Sequence, residues 1–164
     1  MRINKTLLAT IGTLLVGSVT SALAATITQD ALTASPIGYW KTIDETSGKP
    51  KSIVKVWKTD KQVLMAKVVK LFPAQHKVAQ NKICSACSGA QHNKPIVGMV
   101  IISGLKSYEN QWKSGEILDP ENGKTYNCSA RLSENGKKLN VKEFVGFPLF
   151  GRSQTWERVD LMSG

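Results

Sequence analysis

Acidic residues, histidine and long apolar runs are all scarce in this chain. The 164 residues carry 12 acids against 22 lysines and arginines, a formal charge of +10. With 2 histidines, His76 and His92, and 3 cysteines, there is little from which to build a metal centre or a histidine-based catalytic relay. No Gly-x-Ser-x-Gly elbow, no phosphate-binding glycine loop and no His-Glu-x-x-His helix occurs, which removes the commonest hydrolase, nucleotide-binding and metalloprotease signatures. No run after the leader combines a clean 3.6-residue period with caps, so helix is expected to be minor. Internal repeats and low-complexity tracts are missing too.

The first 24 residues state where the protein works. Arg2 and Lys5 precede an uncharged, largely apolar run from Thr6 to Val19, and Ala22-Leu23-Ala24 supplies a small-x-small cleavage pattern. The strongly apolar part falls short of the roughly 20 residues that span a bilayer. Residues 1–24 therefore read as a signal peptide cut after Ala24, and the protein as exported, in all expectation periplasmic. No cysteine follows the cut, which argues against a lipid anchor. Loss of Arg2 and Lys5 lowers the charge from +10 to +8. A basic exported chain is attracted to anionic envelope surfaces, whereas nucleic acid is not an expected partner.

Residues 25–37 are small and polar and read as an extended lead-in, with a single domain over residues 38–160. Short apolar or alternating runs separated by turn residues mark that domain as an all-β meander. Predicted strands are Ser52–Trp57, Val63–Phe72, Pro95–Leu105, Gly115–Asp119, Thr125–Leu132, Lys138–Phe144 and Gln154–Val159. In Val63–Phe72, Leu64, Ala66 and Val68 share one face. Gly98 and Gly104 make the Pro95–Leu105 run bulged or broken. Asn122-Gly123 and Asn135-Gly136 tolerate the positive φ of tight turns and predict two successive hairpins.

Cys84-Ser85-Ala86-Cys87 lies in a polar stretch, Gln75–Lys94, that reads as a long loop. Outside the cytoplasm such a pair is expected to form a disulfide, with Cys128 left as a buried free thiol. A Cys128 bridge to one of the pair, a redox role, and zinc held by Cys84, Cys87, His92 and His76 are the competing readings. Covalent haem is excluded because Ser88, not histidine, follows the second cysteine. Asp119, Glu121, Glu143 and Glu157 are carboxylates suited to acid-base work, yet each has an adequate turn or surface explanation. No catalytic residue, metal or cofactor is assigned, and enzymatic activity is unsupported.

The aromatic residues carry more. Gly38-Tyr39-Trp40 opens the domain and Trp156-Glu157-Arg158 closes it, so a guanidinium, Arg158 or Arg152, stacked on Trp40 would plug a barrel end. Phe147, Leu149 and Phe150 sit in a glycine- and proline-rich connection and either fold back into the core, the favoured reading, or rim a binding mouth. Trp112 is a second rim candidate. Trp57, Tyr126 and Arg152 complete the candidate ligand-binding set, within a lining drawn from Ile53–Trp57, Val63–Phe72 and Thr125–Leu132.

Pro95-Ile96-Val97-Gly98-Met99, Gly115-Glu116-Ile117-Leu118-Asp119-Pro120 with Gly123-Lys124-Thr125-Tyr126, and Gly146–Arg152 followed by Thr155-Trp156 together resemble the bacterial family called domain of unknown function 2147. The leader, the early Gly38-x-Trp40 and the Cys84/Cys87 pair ahead of a Pro-x-x-Gly are similar to its members, over about residues 38–159. The resemblance implies an exported, single up-and-down antiparallel β-barrel like those of lipocalins and fatty-acid-binding proteins, with no established activity to carry over. The functional expectation is non-enzymatic binding of a small apolar or amphipathic molecule inside a hollow barrel. The alternative is a filled barrel that presents a basic surface to an anionic polymer or a protein.

Overall fold

Eight strands joined in sequence order close on themselves as β1-β2-β3-β4-β5-β6-β7-β8, every neighbouring pair antiparallel. The computed structural model describes residues 35–73 and 81–160; the leader, most of the lead-in and His76 fall outside them. The strands are β1 (Gly38–Ile43), β2 (Pro50–Lys58), β3 (Leu64–Leu71), β4 (Val100–Tyr108), β5 (Gln111–Asp119), β6 (Lys124–Ser133), β7 (Lys138–Phe144) and β8 (Gly151–Val159). Helix among the described residues is of the 3-10 kind, as at Gly89–Gln91, Glu134–Gly136 and Pro148–Phe150. No helix among these residues is long and apolar enough to cross a membrane.

Alternation places the core. Trp40 and Thr42 on β1, Val54 and Val56 on β2, and Leu64, Ala66 and Val68 on β3 are all buried. Leu139, Val141 and Glu143 on β7 share a face with Cys128 and Ala130 on β6, their register partners being Glu143↔Cys128 and Val141↔Ala130. Trp40, Val54, Val68, Leu139, Val141 and Trp156 belong to one buried cluster along the barrel axis. An eight-stranded barrel has an interior just wide enough to be filled by side chains or to hold one small ligand. Of the segments expected to line a hollow space, Ile53–Trp57 contributes Val54 and Val56, Val63–Phe72 contributes Leu64, Ala66 and Val68, and Thr125–Leu132 contributes Cys128 and Ala130 to that one buried cluster.

Both predicted Asn-Gly hairpins form, β5-β6 around Gly123 (φ 69°) and β6-β7 around Asn135 (φ 52°) and Gly136 (φ 83°). The Pro95–Leu105 run departs from its reading: the strand begins at Val100, and residues 95–99 run beside β3, where the Val68 carbonyl accepts from Gly98 N–H at 2.7 Å and Val68 N–H donates to the Met99 carbonyl at 3.0 Å. Gly98, at φ 93°, turns the chain out of strand conformation there. β5 starts at Gln111 rather than Gly115, because Glu109 takes φ 50° and makes a tight β4-β5 turn without glycine.

Candidate ligand-binding site

The meander gives the barrel two unlike ends. At one end lie the start of β1, the β2-β3, β4-β5 and β6-β7 turns and the end of β8; at the other lie the β1-β2 turn, the β3-β4 loop, the β5-β6 turn and the β7-β8 connection. Trp40 closes the first. Its indole Nε1 donates to the Pro36 carbonyl at 2.8 Å, and Arg158 Cζ stands 4.3 Å from its ring centroid. The same guanidinium donates to the carbonyls of Gly136 at 2.7 Å, Ile37 at 3.1 Å and Ser35. Burial of that cation lowers its pKa from the ordinary arginine value. One side chain thus ties the lead-in, the β6-β7 turn and the first tryptophan together.

The opposite end is polar inside and apolar at the rim. Glu143, only 5% exposed, faces the barrel interior between Cys128 and Arg152, its register partners. Arg152 Nε donates to Glu143 Oε1, and its Nη2 donates to Asp119 Oδ2 at 3.0 Å. Gln154 Nε2 reaches Glu143 Oε1 at 3.4 Å, and Trp156 Nε1 donates to Gln154 Oε1 at 3.2 Å. Asn122 Nδ2 bonds Asp119 Oδ2 at 2.9 Å and the Tyr126 hydroxyl at 3.1 Å. The chain Trp156-Gln154-Glu143-Arg152-Asp119-Asn122-Tyr126 is therefore one hydrogen-bonded path from core to rim. Hydrogen bonding to Glu143, reinforced by both carboxylate charges, raises the pKa of Arg152, so its charge is fixed. Thr42 Oγ1 and Ser52 Oγ, 2.7 Å apart, add a buried hydroxyl pair toward the same end.

Cys128 lies beneath this network. Burial, with the Glu143 charge adding to it, pushes its thiol up to about 12. A thiol so held is protonated at neutral pH and is not the thiolate that nucleophilic or metal chemistry requires. Cys84 and Cys87 form a disulfide with Cα atoms 5.4 Å apart, both sulfur-bearing residues buried. The zinc arrangement is thereby overturned, since neither sulfur remains as a ligand; His92 Nδ1 instead donates to the Cys87 carbonyl at 2.8 Å. No set of three histidine, cysteine, aspartate or glutamate side chains among the described residues is grouped to hold a metal. Gly123 shows how the loop is seated: a Cβ there would stand 1.9 Å from the Ala86 carbonyl oxygen, so only glycine lets the disulfide loop rest on the β5-β6 turn.

Above the polar network, Phe147, Leu149 and Phe150 are 77, 82 and 77% exposed, which corrects the favoured expectation that they return to the core. Their connection is constrained. Gly146 takes φ 70°, Pro148–Phe150 is a 3-10 turn, and a Cβ on Gly151 would meet the Glu143 carbonyl oxygen at 2.3 Å. The stiff, short connection lifts the three side chains off the barrel instead of letting them fold inward. Of the other candidates, Tyr126 and Arg152 stand at this second end, while Trp57 and Trp112 do not. Trp57 alternates with buried Val56 and shows its ring to the outside, 5.9 Å from Lys67 Nζ. Trp112 pairs with Ala130 near the closed end, because the bulge at Ser114 (φ 59°) turns it onto the core. Arg152 takes no part in the tryptophan stack, which belongs to Arg158.

The sequence reading left Glu143 as a turn or surface carboxylate and passed over Gln154. The signal was present: Leu139, Val141 and Glu143 alternate on one face, so the carboxylate had to point where two apolar side chains point. Two surface cavities lie on the outer wall. One, of about 230 Å³, lies between the disulfide loop and Ser103, Glu116, Leu118 and Thr125; the other, of about 400 Å³, is lined by Ile43, Glu45, Lys138, Ser153, Thr155 and Glu157 among others. The pairings Ser103↔Glu116 and Leu118↔Thr125 put the first on the face opposite Ile102 and Ile117, hence outside the barrel.

A family model described as an uncharacterized protein conserved in bacteria, DUF2147, matches residues 38–158. The chain belongs to DUF2147. Among solved structures, this DUF2147 barrel is similar to protein HP1028 from the human pathogen Helicobacter pylori, described as belonging to the lipocalin family. The two share a TM-score of 0.66 and 20% identity, over 79% of this chain and 86% of that one, a likeness of fold. No curated protein matches the DUF2147 chain.

Proposed function

We propose that this protein is exported to the periplasm and binds a small amphipathic molecule at the open end of its barrel. The observation that carries the reading is the asymmetry of the two ends: Arg158 and Trp40 seal one, while the other sets exposed Phe147, Leu149 and Phe150 over the Glu143-Arg152-Asp119 network. The ligand's apolar part covers the rim residues, and its polar part takes hydrogen bonds from the half-exposed guanidinium of Arg152 and from Tyr126. Covering a phenylalanine or leucine side chain contributes about 2 kcal/mol, so three supply most of the roughly 8 kcal/mol of micromolar binding. Because Trp156, Leu139, Val141 and Val54 belong to one buried cluster, this reading places the ligand at the rim rather than deep inside. Arg152 is already bonded to two carboxylates, so hydroxyl-bearing or zwitterionic head groups fit better than a bare anion.

Titration with the uncharged fluorescent probe N-phenyl-1-naphthylamine, with displacement by lysophosphatidylcholine, tests the proposal. Saturable binding that persists in high salt and weakens about tenfold in Phe150→Ser is the expected result, since salt screens exposed charges but not apolar contact. Binding that disappears with salt, or that is indifferent to Phe150 and Arg152, overturns it.

A further inference from the structure

The open end also has the composition of a membrane-docking surface. Val145, at 70% exposure, extends the Phe147-Leu149-Phe150 group, and the four make a contiguous stretch of sequence with every large side chain in water. Large apolar side chains held out by a constrained turn mark an interaction surface. The cations around it select the partner. Lys49 in the β1-β2 turn, Lys94 in the β3-β4 loop, Lys124 at the start of β6 and Lys142 near the end of β7 surround the same end, and none is held in an ion pair among the described residues. The acids there are largely engaged. Asp119 and Glu143 bind Arg152, Glu121 is shared by Lys51 at 2.8 Å and Lys82 at 3.7 Å, and Asp44 bonds Ser47, leaving Glu45 on the β1-β2 turn.

We infer that the 145–150 connection inserts into the surface of an anionic phospholipid membrane, with the lysines of the open end meeting the head groups. An apolar wedge ringed by cations is complementary to an acyl layer under negative head groups, and the two attractions add. A second copy of the chain is a poorer occupant. Face-to-face pairing about a two-fold axis would bring the same lysines against each other. Docking here would open the barrel mouth toward the lipid phase, the source of an amphipathic ligand. The inference does not require that ligand, and its test is run without one.

The protein, expressed with its own leader and purified, is sedimented with vesicles of phosphatidylethanolamine and phosphatidylglycerol, and separately with vesicles of phosphatidylcholine. Binding to the anionic vesicles is expected to exceed binding to the neutral ones and to fall at least about tenfold in Phe147→Ser/Leu149→Ser/Phe150→Ser. Each of Lys124→Gln and Lys142→Gln is expected to weaken it about fivefold at low salt. Phe147, Leu149, Phe150 and Lys124 are exposed and Lys142 is half-buried on the outer wall, so the variants keep the wild-type circular dichroism and melting temperature. As a second readout, the added tryptophan of Phe150→Trp shifts its emission to the blue on anionic vesicles. Equal sedimentation of wild type and triple variant, no blue shift, or a concentration-dependent dimer that the triple variant abolishes would each overturn the inference.

Discussion

Arg158 Cζ lies 4.3 Å from the centre of the Trp40 ring while the same guanidinium holds the carbonyls of Gly136, Ile37 and Ser35. Arg158→Ala leaves these carbonyls short of a donor and uncovers the indole, an expected loss of about 2 to 3 kcal/mol in urea unfolding. Arg158→Lys recovers less than half of it, because a point-charge ammonium cannot reach several carbonyls from one plane. Full recovery by lysine would show that charge alone matters there.

Glu143 and Arg152 are unequal partners, the carboxylate buried and the guanidinium half in water. Arg152→Ala strands a carboxylate in the barrel and is expected to cost about 2 to 3 kcal/mol, whereas Glu143→Gln leaves an arginine that still has Asp119 and solvent, at about 1 kcal/mol. The double variant is expected to be more stable than Arg152→Ala alone. A double-mutant cycle measured by urea unfolding reads the difference.

Cys128 sets a pH dependence. Its thiol pKa rises from 9.0 to about 12 on folding, so between these values the folded state keeps a proton that the unfolded state has released. Stability from this group is complete below pH 9 and is lost as pH climbs toward 12, at about 1.4 kcal/mol per unit. Cys128→Ala is expected to flatten the fall of the melting temperature over that window. In the native protein near neutral pH, a thiol reagent finds no reactive cysteine until denaturant is added.

Gly123 supports the disulfide loop by what it lacks. Gly123→Ala places a methyl group against the Ala86 carbonyl at a position with φ 69°, and the expected cost is about 2 to 4 kcal/mol. The lifted loop exposes Cys84 and Cys87, so dithiothreitol reduces the disulfide faster in the variant. Gly48→Ala, with open space around its Cβ site, is the control for φ strain without collision.

Much of this architecture was legible in the residues. Short apolar or alternating runs located seven of the eight strands, with the starts of β4 and β5 displaced, and the Asn-Gly pairs fixed the hairpins around β6, because both signals are local. Non-local packing hid the rest. Trp112 looked like a rim residue until the bulge at Ser114 reversed its face, and Phe147, Leu149 and Phe150 looked like core until the short connection left them no route inward. Glu143 read as surface because a charge in a strand usually is; Arg152 and Gln154, both arriving from β8, compensate its burial. Closure of the barrel, which sets Trp40 beside Arg158, joins residues from the two ends of the domain and has no local signature.

Native mass spectrometry of the protein recovered from its own cells tests the central claim most directly. The account predicts a protein peak with a discrete small amphiphile attached, retained in high salt and lost from Arg152→Ala and Phe150→Ser. A bare protein peak under the gentlest conditions, or an adduct that survives both substitutions unchanged, would contradict it.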